Sequence, residues 1–194
     1  MVVMTQEAFT GSTSGRPFAV RDLEAMPADG HRYELIDGML MVSPAPGRRH
    51  QKIIGKLYGL LEAACPPECD VVVGPFAVQP SYSTELQPDV LVGRFDDFTE
   101  KNLPVAPLLA VEVLSPSTAL NDLNTKKAAY ARMGVTSYWV VNPTPIELTV
   151  FKLTSEGAYE LVAKISGDET FSTDRPYPVT VVPRALLGRL ADQP

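Results

Sequence analysis

A chain of 194 residues with a net charge of −6 is long enough for one sizeable domain and short for two. Hydrophobic residues make up 45% and charged residues 21%, the mix of a globular protein, and no apolar run approaches a membrane span. The acidity weighs against a life of non-specific DNA binding, although local basic patches can carry such binding in an acidic protein.

Residues 1–17, MVVMTQEAFTGSTSGRP, are polar and aperiodic and read as a mobile tail, leaving 18–194 as a single domain. They hold no basic segment followed by an apolar stretch, so no signal peptide is expected and the location expected is cytoplasmic. Val20 to Met26 suits a short helix. His31 to Ser43 places two strand-like runs around Asp37-Gly38, a hairpin signal. Glu34 lies in the first run, and its pattern alone reads as a solvent-facing strand residue.

A helix is expected from about Arg48 to Ala64. His50, Ile53, Ile54, Leu57, Leu60 and Leu61 fall on one side of it. Arg48, Lys52 and Lys56 form a stripe on the other, joined by Arg49. A solvated face and a phosphate-contacting face are both open readings of that stripe. His50 sits in the apolar side, where a histidine is usually a satisfied core residue; it also suits a pocket at the helix start. Cys65 and Cys69, in CPPEC, read as small residues in a proline-stiffened loop, because zinc would need two further ligands.

Asp70 to Gln79 reads as one strand broken at Gly74-Pro75. Asp89 opens a strand through Val92, and Gly93 to Pro107 is a polar loop. Leu108 to Ser117, LLAVEVLSPS, is an apolar run of the kind that forms a central strand covered on both faces. Glu112 stands in its middle and needs a partner, because a carboxylate is almost never fully buried alone. The next helix, capped by Asn121 or Asp122, runs to about Met133. Its packing side is Leu123, Ala129, Tyr130 and Met133, with Lys126 at the centre. A lysine there must snorkel or meet a carboxylate, and a Glu112–Lys126 encounter follows from the pattern. Tyr138 to Asn142 is a further strand, and strand, helix and strand in succession suggest a right-handed parallel crossover. Glu147 to Leu153 and Tyr159 to Ile165 form a hairpin, Pro178 to Val182 an edge strand, and Arg184 to Leu190 a closing helix.

The strand-borne or buried ionisable groups are therefore Asp89, Glu112 and Lys126, with Glu34 and His50 nearby. Two carboxylates on adjacent strands can hold Mg²⁺ or Mn²⁺ through oxygen ligands. Such a metal activates water and neutralises a scissile phosphate, and a lysine beside it orients or deprotonates the water or stabilises the transition state.

Pro88-Asp89, Glu112 in VEVLSPS, then Asp122, Lys126 and Tyr130, then Tyr138-Trp139 resemble the motif order of the Uma-two family, in the PD-(D/E)xK nuclease superfamily. The hairpin YELIDG and the proline-rich loop before His50 match as well, and the resemblance covers about Tyr33 to Leu153. It implies an α/β fold of the α+β mixed-sheet kind: a restriction-endonuclease-like core, a central mixed β-sheet flanked by helices, with N-terminal and C-terminal β-hairpins. It implies Asp89 and Glu112 as metal ligands, a backbone carbonyl near Val113 as a third, and Glu34 as an accessory acid. The superfamily's lysine, two residues after the glutamate, is Leu114 here. The resemblance suggests that its role has moved to Lys126. Asn142 stands where the family tends to carry Asp, and reads as outside the catalytic core.

The expected function is a Mg²⁺-dependent endonuclease acting on DNA, with Arg48, Arg49, Lys52, Lys56 and His50 on the substrate. A symmetric cut through both strands would favour a homodimer. Two alternatives are a non-catalytic nucleic-acid-binding or interaction module that keeps the pocket, and a metal hydrolase for another anionic substrate. The nuclease reading expects Asp89, Glu112 and Lys126 to converge on one pocket at a sheet edge, bordered by Glu34.

Overall fold

The computed structural model describes residues 2–3, 15–115 and 119–192, without the side chains of 2–3, 119–123 and 192. Its elements build two six-stranded sheets and a small two-stranded one.

The first sheet grows from the hairpin. β1 (Val2–Val3) precedes α1 (Val20–Leu23), and β2 (Arg32–Ile36) turns into β3 (Met39–Ser43). Asp37 and Gly38 both adopt positive φ, 50° and 81°, the geometry a two-residue primed turn needs. β1 pairs with the outer edge of β3, so part of the segment expected to be a mobile tail adds a strand. The apolar residues of β2 alternate between two faces. Leu35 packs with Phe18 and Leu40 under α1, and Ile36 packs inward with Leu86 and Tyr130.

α2 (Arg48–Ala64) follows with the bounds expected. Ile53, Ile54, Leu57 and Leu61 are buried on the second sheet, each contributing roughly 1.5–3 kcal/mol on burial. β4 (Cys69–Val73) joins the second sheet, but β5 (Ala77–Ser81) joins the first. The stretch expected to be one broken strand thus links two sheets. Gly74 makes the crossing possible: a Cβ there would stand 2.7 Å from the Pro88 carbonyl oxygen, and its N–H donates to the Asp89 carbonyl. β6 (Thr84–Leu86) pairs with β5 and β2, and β7 (Val90–Arg94) with β4. The loop expected over 93–107 contains a 3-10 turn at 95–97 and β8 (Asn102–Leu103), which extends the first sheet in parallel to β5.

β9 (Leu109–Val113), α3 (Ala119–Met133) and β10 (Ser137–Pro143) form the expected parallel crossover. α3 begins before Asn121 and Asp122, so neither is its N-cap; their side chains lie outside the described residues. β11 (Ile146–Leu153) and β12 (Tyr159–Ser166) complete the second sheet, in the order β12-β11-β10-β9-β7-β4. Among the described residues β14 (Val179–Val181) pairs only with β13 (Phe171–Thr173), not with the edge of either large sheet. α4 (Pro183–Leu187), continued by a 3-10 turn to Asp192, closes over α2. The result is two mixed sheets flanked by helices, with hairpins at both ends. No helix among the described residues is long and apolar enough to cross a membrane.

Candidate active site

Register creates the site. β7 and β9 are antiparallel, with Val90 opposite Val111. One step further, Asp89 stands opposite Glu112, and directly opposed residues project to the same face. α3 packs on that face and delivers Lys126 and Tyr130, one turn apart, to Glu112. Lys126 Nζ lies 3.0 and 3.2 Å from the two Glu112 oxygens, and the Tyr130 hydroxyl donates at 2.7 Å. From the first sheet, β2 brings Glu34 to within 2.8 Å of the same ammonium.

Glu34 is fully buried, which corrects its reading as a solvent-facing residue. The Gln87 N–H donates to its Oε1 at 2.8 Å. Asp89 is equally enclosed. Its Oδ1 accepts from Arg32 at 3.0 Å, and its Oδ2 accepts from the Val113 N–H at 2.8 Å and lies 3.2 Å from His50 Nε2. His50 therefore points into a pocket at the helix start. The pocket has a volume of about 50 Å³ and is lined by Arg32, Pro44, His50, Asp89, Glu112 and Lys126, among others. It lies where the inner strands of one sheet meet the other, not at a free edge.

Sequence reasoning missed Arg32. Its signal was its place two residues before Glu34 on a strand, hence on the same face. Arg48, Lys52 and Lys56 do not reach the pocket. They line a separate groove of about 700 Å³ with Gln51 and Arg189, on the opposite side of α2 from His50. Arg49 is half-buried beside them.

Burial dominates the electrostatics. Glu112 is pushed up to about 7 by burial; Lys126 pulls the other way, and the neighbouring charges of Asp89 and Glu34 add to the rise. Burial also opposes ionisation of Asp89, but His50 and Arg32 outweigh it and hold the carboxyl down to about 2. Burial disfavours the Lys126 ammonium, yet Glu112 and Glu34 more than compensate, so its pKa is raised and it stays charged. Three buried carboxylates face two permanent cations.

Two buried side-chain atoms have no aligned hydrogen-bond partner among the described residues: Glu34 Oε2, despite its ion-pair contact with Lys126, and His50 Nδ1. The donors suit a hard divalent cation, since they are carboxylate oxygens in charge excess with one oxygen left unaligned. The ligand shell is not assembled, however. Among the described residues no group of three or more His, Cys, Asp and Glu could hold an ion as it stands. Arg32, His50 and the Val113 N–H engage Asp89, while Lys126 and Tyr130 engage Glu112.

The chain and its fold match known proteins. Residues 20–183 match the Uma2 family, described as "Putative restriction endonuclease", and the chain belongs to that family. A crystal structure from Anabaena variabilis, described as a "putative nuclease belonging to DUF820", superposes with a TM-score of 0.70 at 15% identity, over 88% of this chain and 98% of that one. At that identity the likeness is one of fold. No curated protein matches.

Proposed function

We propose that the protein is a metal-dependent endonuclease that hydrolyses DNA phosphodiester bonds at the Asp89–Glu112–Lys126 pocket. The observation that carries this reading is the convergence of Asp89, Glu112 and Lys126 on one pocket of about 50 Å³, with Glu34 behind it at 2.8 Å from the Lys126 ammonium. That volume admits one or two waters or an ion, at roughly 30 Å³ per water. The scissile phosphate would then sit at the mouth, with the ion and the attacking water inside.

Asp89, Glu112 and the Val113 carbonyl would hold Mg²⁺ or Mn²⁺, which when bound supplies an acidified water and charge neutralisation at phosphate. Lys126, kept as ammonium by its two carboxylates, serves as a fixed positive charge that orients the water and stabilises the developing anion. It does not serve as a base. Glu34 holds Lys126 in place and adds an acceptor beside it. His50 and Arg32 keep the Asp89 carboxylate ionised and oriented. Arg48, Lys52 and Lys56 contact phosphates further along the strand.

Incubating the purified protein with supercoiled plasmid and Mg²⁺ or Mn²⁺, beside Glu112→Ala, tests the proposal. The parent should nick or linearise the plasmid and the variant should leave it intact. A folded parent that cuts with neither ion would point to the binding-module alternative.

A further inference from the structure

A second cavity adjoins the candidate active site. It has a volume of about 630 Å³, within the roughly 300–1,000 Å³ range of small-ligand pockets. It shares Arg32, Pro44 and Pro46 with the catalytic pocket, so the two meet at the start of β2. It opens on the other face of the first sheet, the face covered in part by α1. Glu85 pairs with Leu35 across β6 and β2, so its side chain shares the face of Leu35 and Tyr33.

The chemistry of this cleft differs from that of the basic groove. Its lining includes Tyr33, Gln79, Glu85 and Gln87, with Arg32 and Lys101 among its charged residues. Glu85 is half-buried, and no cation among the described residues pairs with it; its hydrogen bond from Gln87 Nε2 is long, at 3.5 Å. Gln79 Oε1 accepts from Asn102 at 2.7 Å, which leaves the Gln79 amide NH₂ to meet an acceptor. Glu24 and Glu85 share the lining with Arg32 and Lys101, so the cleft carries both signs of charge and no net excess to attract a phosphate. A base, with donors and acceptors along one edge, suits such a lining.

Gln87 ties the cleft to the catalytic cluster. Its N–H donates to Glu34 and its carbonyl accepts from Arg32 at 3.0 Å, while its side chain lies in the cleft. A nucleotide whose phosphate reaches the catalytic mouth can therefore place its base on the other side of the same strand. Among the four bases, guanine alone presents two adjacent Watson–Crick donors, N1–H and N2–H₂, which match one carboxylate, with O6 beside them to accept from an amide.

We infer that this cleft takes an unpaired guanine next to the scissile phosphate, read by Glu85 and the Gln79 and Gln87 amides and flanked by Tyr33. The substrate class is then a strand with an unstacked nucleotide, single-stranded or locally opened. This inference rests on the nuclease reading for its phosphate and on the cleft alone for its base.

Fluorescence anisotropy without divalent ions separates the two. The probes are short labelled oligothymidylate strands with one central guanine, adenine or cytosine. The guanine strand should bind about tenfold more tightly, the scale of one good bidentate base contact. Annealing its complement should remove the advantage, and so should Glu85→Gln, an isosteric change at a half-exposed site. Equal binding of all strands, or a guanine preference that survives Glu85→Gln, overturns the assignment; the comparison among strands needs no variant. A protein that prefers the guanine strand but leaves plasmid uncut with Mg²⁺ and Mn²⁺ keeps the cleft and loses the nuclease reading. One that cuts plasmid without base preference loses the cleft alone.

Discussion

Glu112 carries the largest conflict in the molecule. Its folded pKa, near 7, lies above the ordinary value of 4.5. Between those pH values the folded chain holds a proton that the unfolded chain has released, so stability rises as pH falls from 7 to 4.5. Above pH 7 the ionised carboxylate costs on the order of 3 kcal/mol. Glu112→Gln removes that charge and leaves Glu34 and Asp89 facing Lys126 and Arg32, two against two. Without divalent ions at pH 8 the variant should melt a few degrees higher than the parent, at about 2–4 °C per kcal/mol for a chain of this size. Its melting temperature should also change less between pH 5.5 and 8, and it should not cut. Scanning fluorimetry decides: a variant that melts lower at pH 8 with the parent's pH dependence would discard this account. Glu112 and Lys126 were legible because each is a charge set in an apolar pattern. Glu34 and Arg32 were not, because β2 reads as a hairpin strand with one wet face, and only the second sheet packed on it makes that face dry.

The two sides of α2 differ in chemistry. His50 in its first turn reaches Asp89, and the aliphatic residues that follow fix the helix on the sheet. The opposite side presents Arg48, Lys52 and Lys56 to a groove that the C-terminal turn completes with Arg189. Gln51 lines both this groove and the cleft beside Arg32, so the two surfaces are continuous. Replacing Arg48, Lys52 and Lys56 together by Gln should weaken strand binding. It should also make the slope of log K against log salt shallower by about 2–3, since each lost phosphate contact removes roughly 0.7–0.9. Titrations at several salt concentrations measure this, and an unchanged slope would mean that the stripe is a solvated face. The bounds of α2 were readable because a strong apolar period runs between two proline-containing loops. The start of α3 was not, since Asn121 and Asp122 look like caps while the helix begins at Ala119, two and three residues before them.

At the scale of the whole molecule, the site is also a joint between the two large sheets. Glu34 and Arg32 come from one, Asp89 and Glu112 from the other, and Lys126 closes the gap at 2.8 Å to Glu34 and 3.0 Å to Glu112. The two-sheet arrangement was hidden in the sequence because Gly74-Pro75 looks like a break within one strand; only the close approach to Pro88 shows that the chain changes sheets there. The joint gives Lys126 a structural part beside the proposed catalytic one. Lys126→Met keeps an unbranched stem and leaves two buried carboxylates uncompensated, so it should destabilise the fold by about 3–5 kcal/mol, the scale of breaking a buried pair. Stability loss alone therefore does not separate an enzyme from a binding module, because both need the joint. A double variant does. Adding Glu34→Gln to Lys126→Met removes one stranded charge and should recover about half of the lost stability, because residues in one network couple strongly. Cleavage should stay at least about two orders of magnitude below the parent, since the positioned ammonium is still missing. Denaturant melts of the parent, both single variants and the double variant, run beside plasmid cleavage, give the coupling directly. Recovery of stability together with recovery of cutting would show that Lys126 matters only to the fold, and the catalytic role would pass to another group.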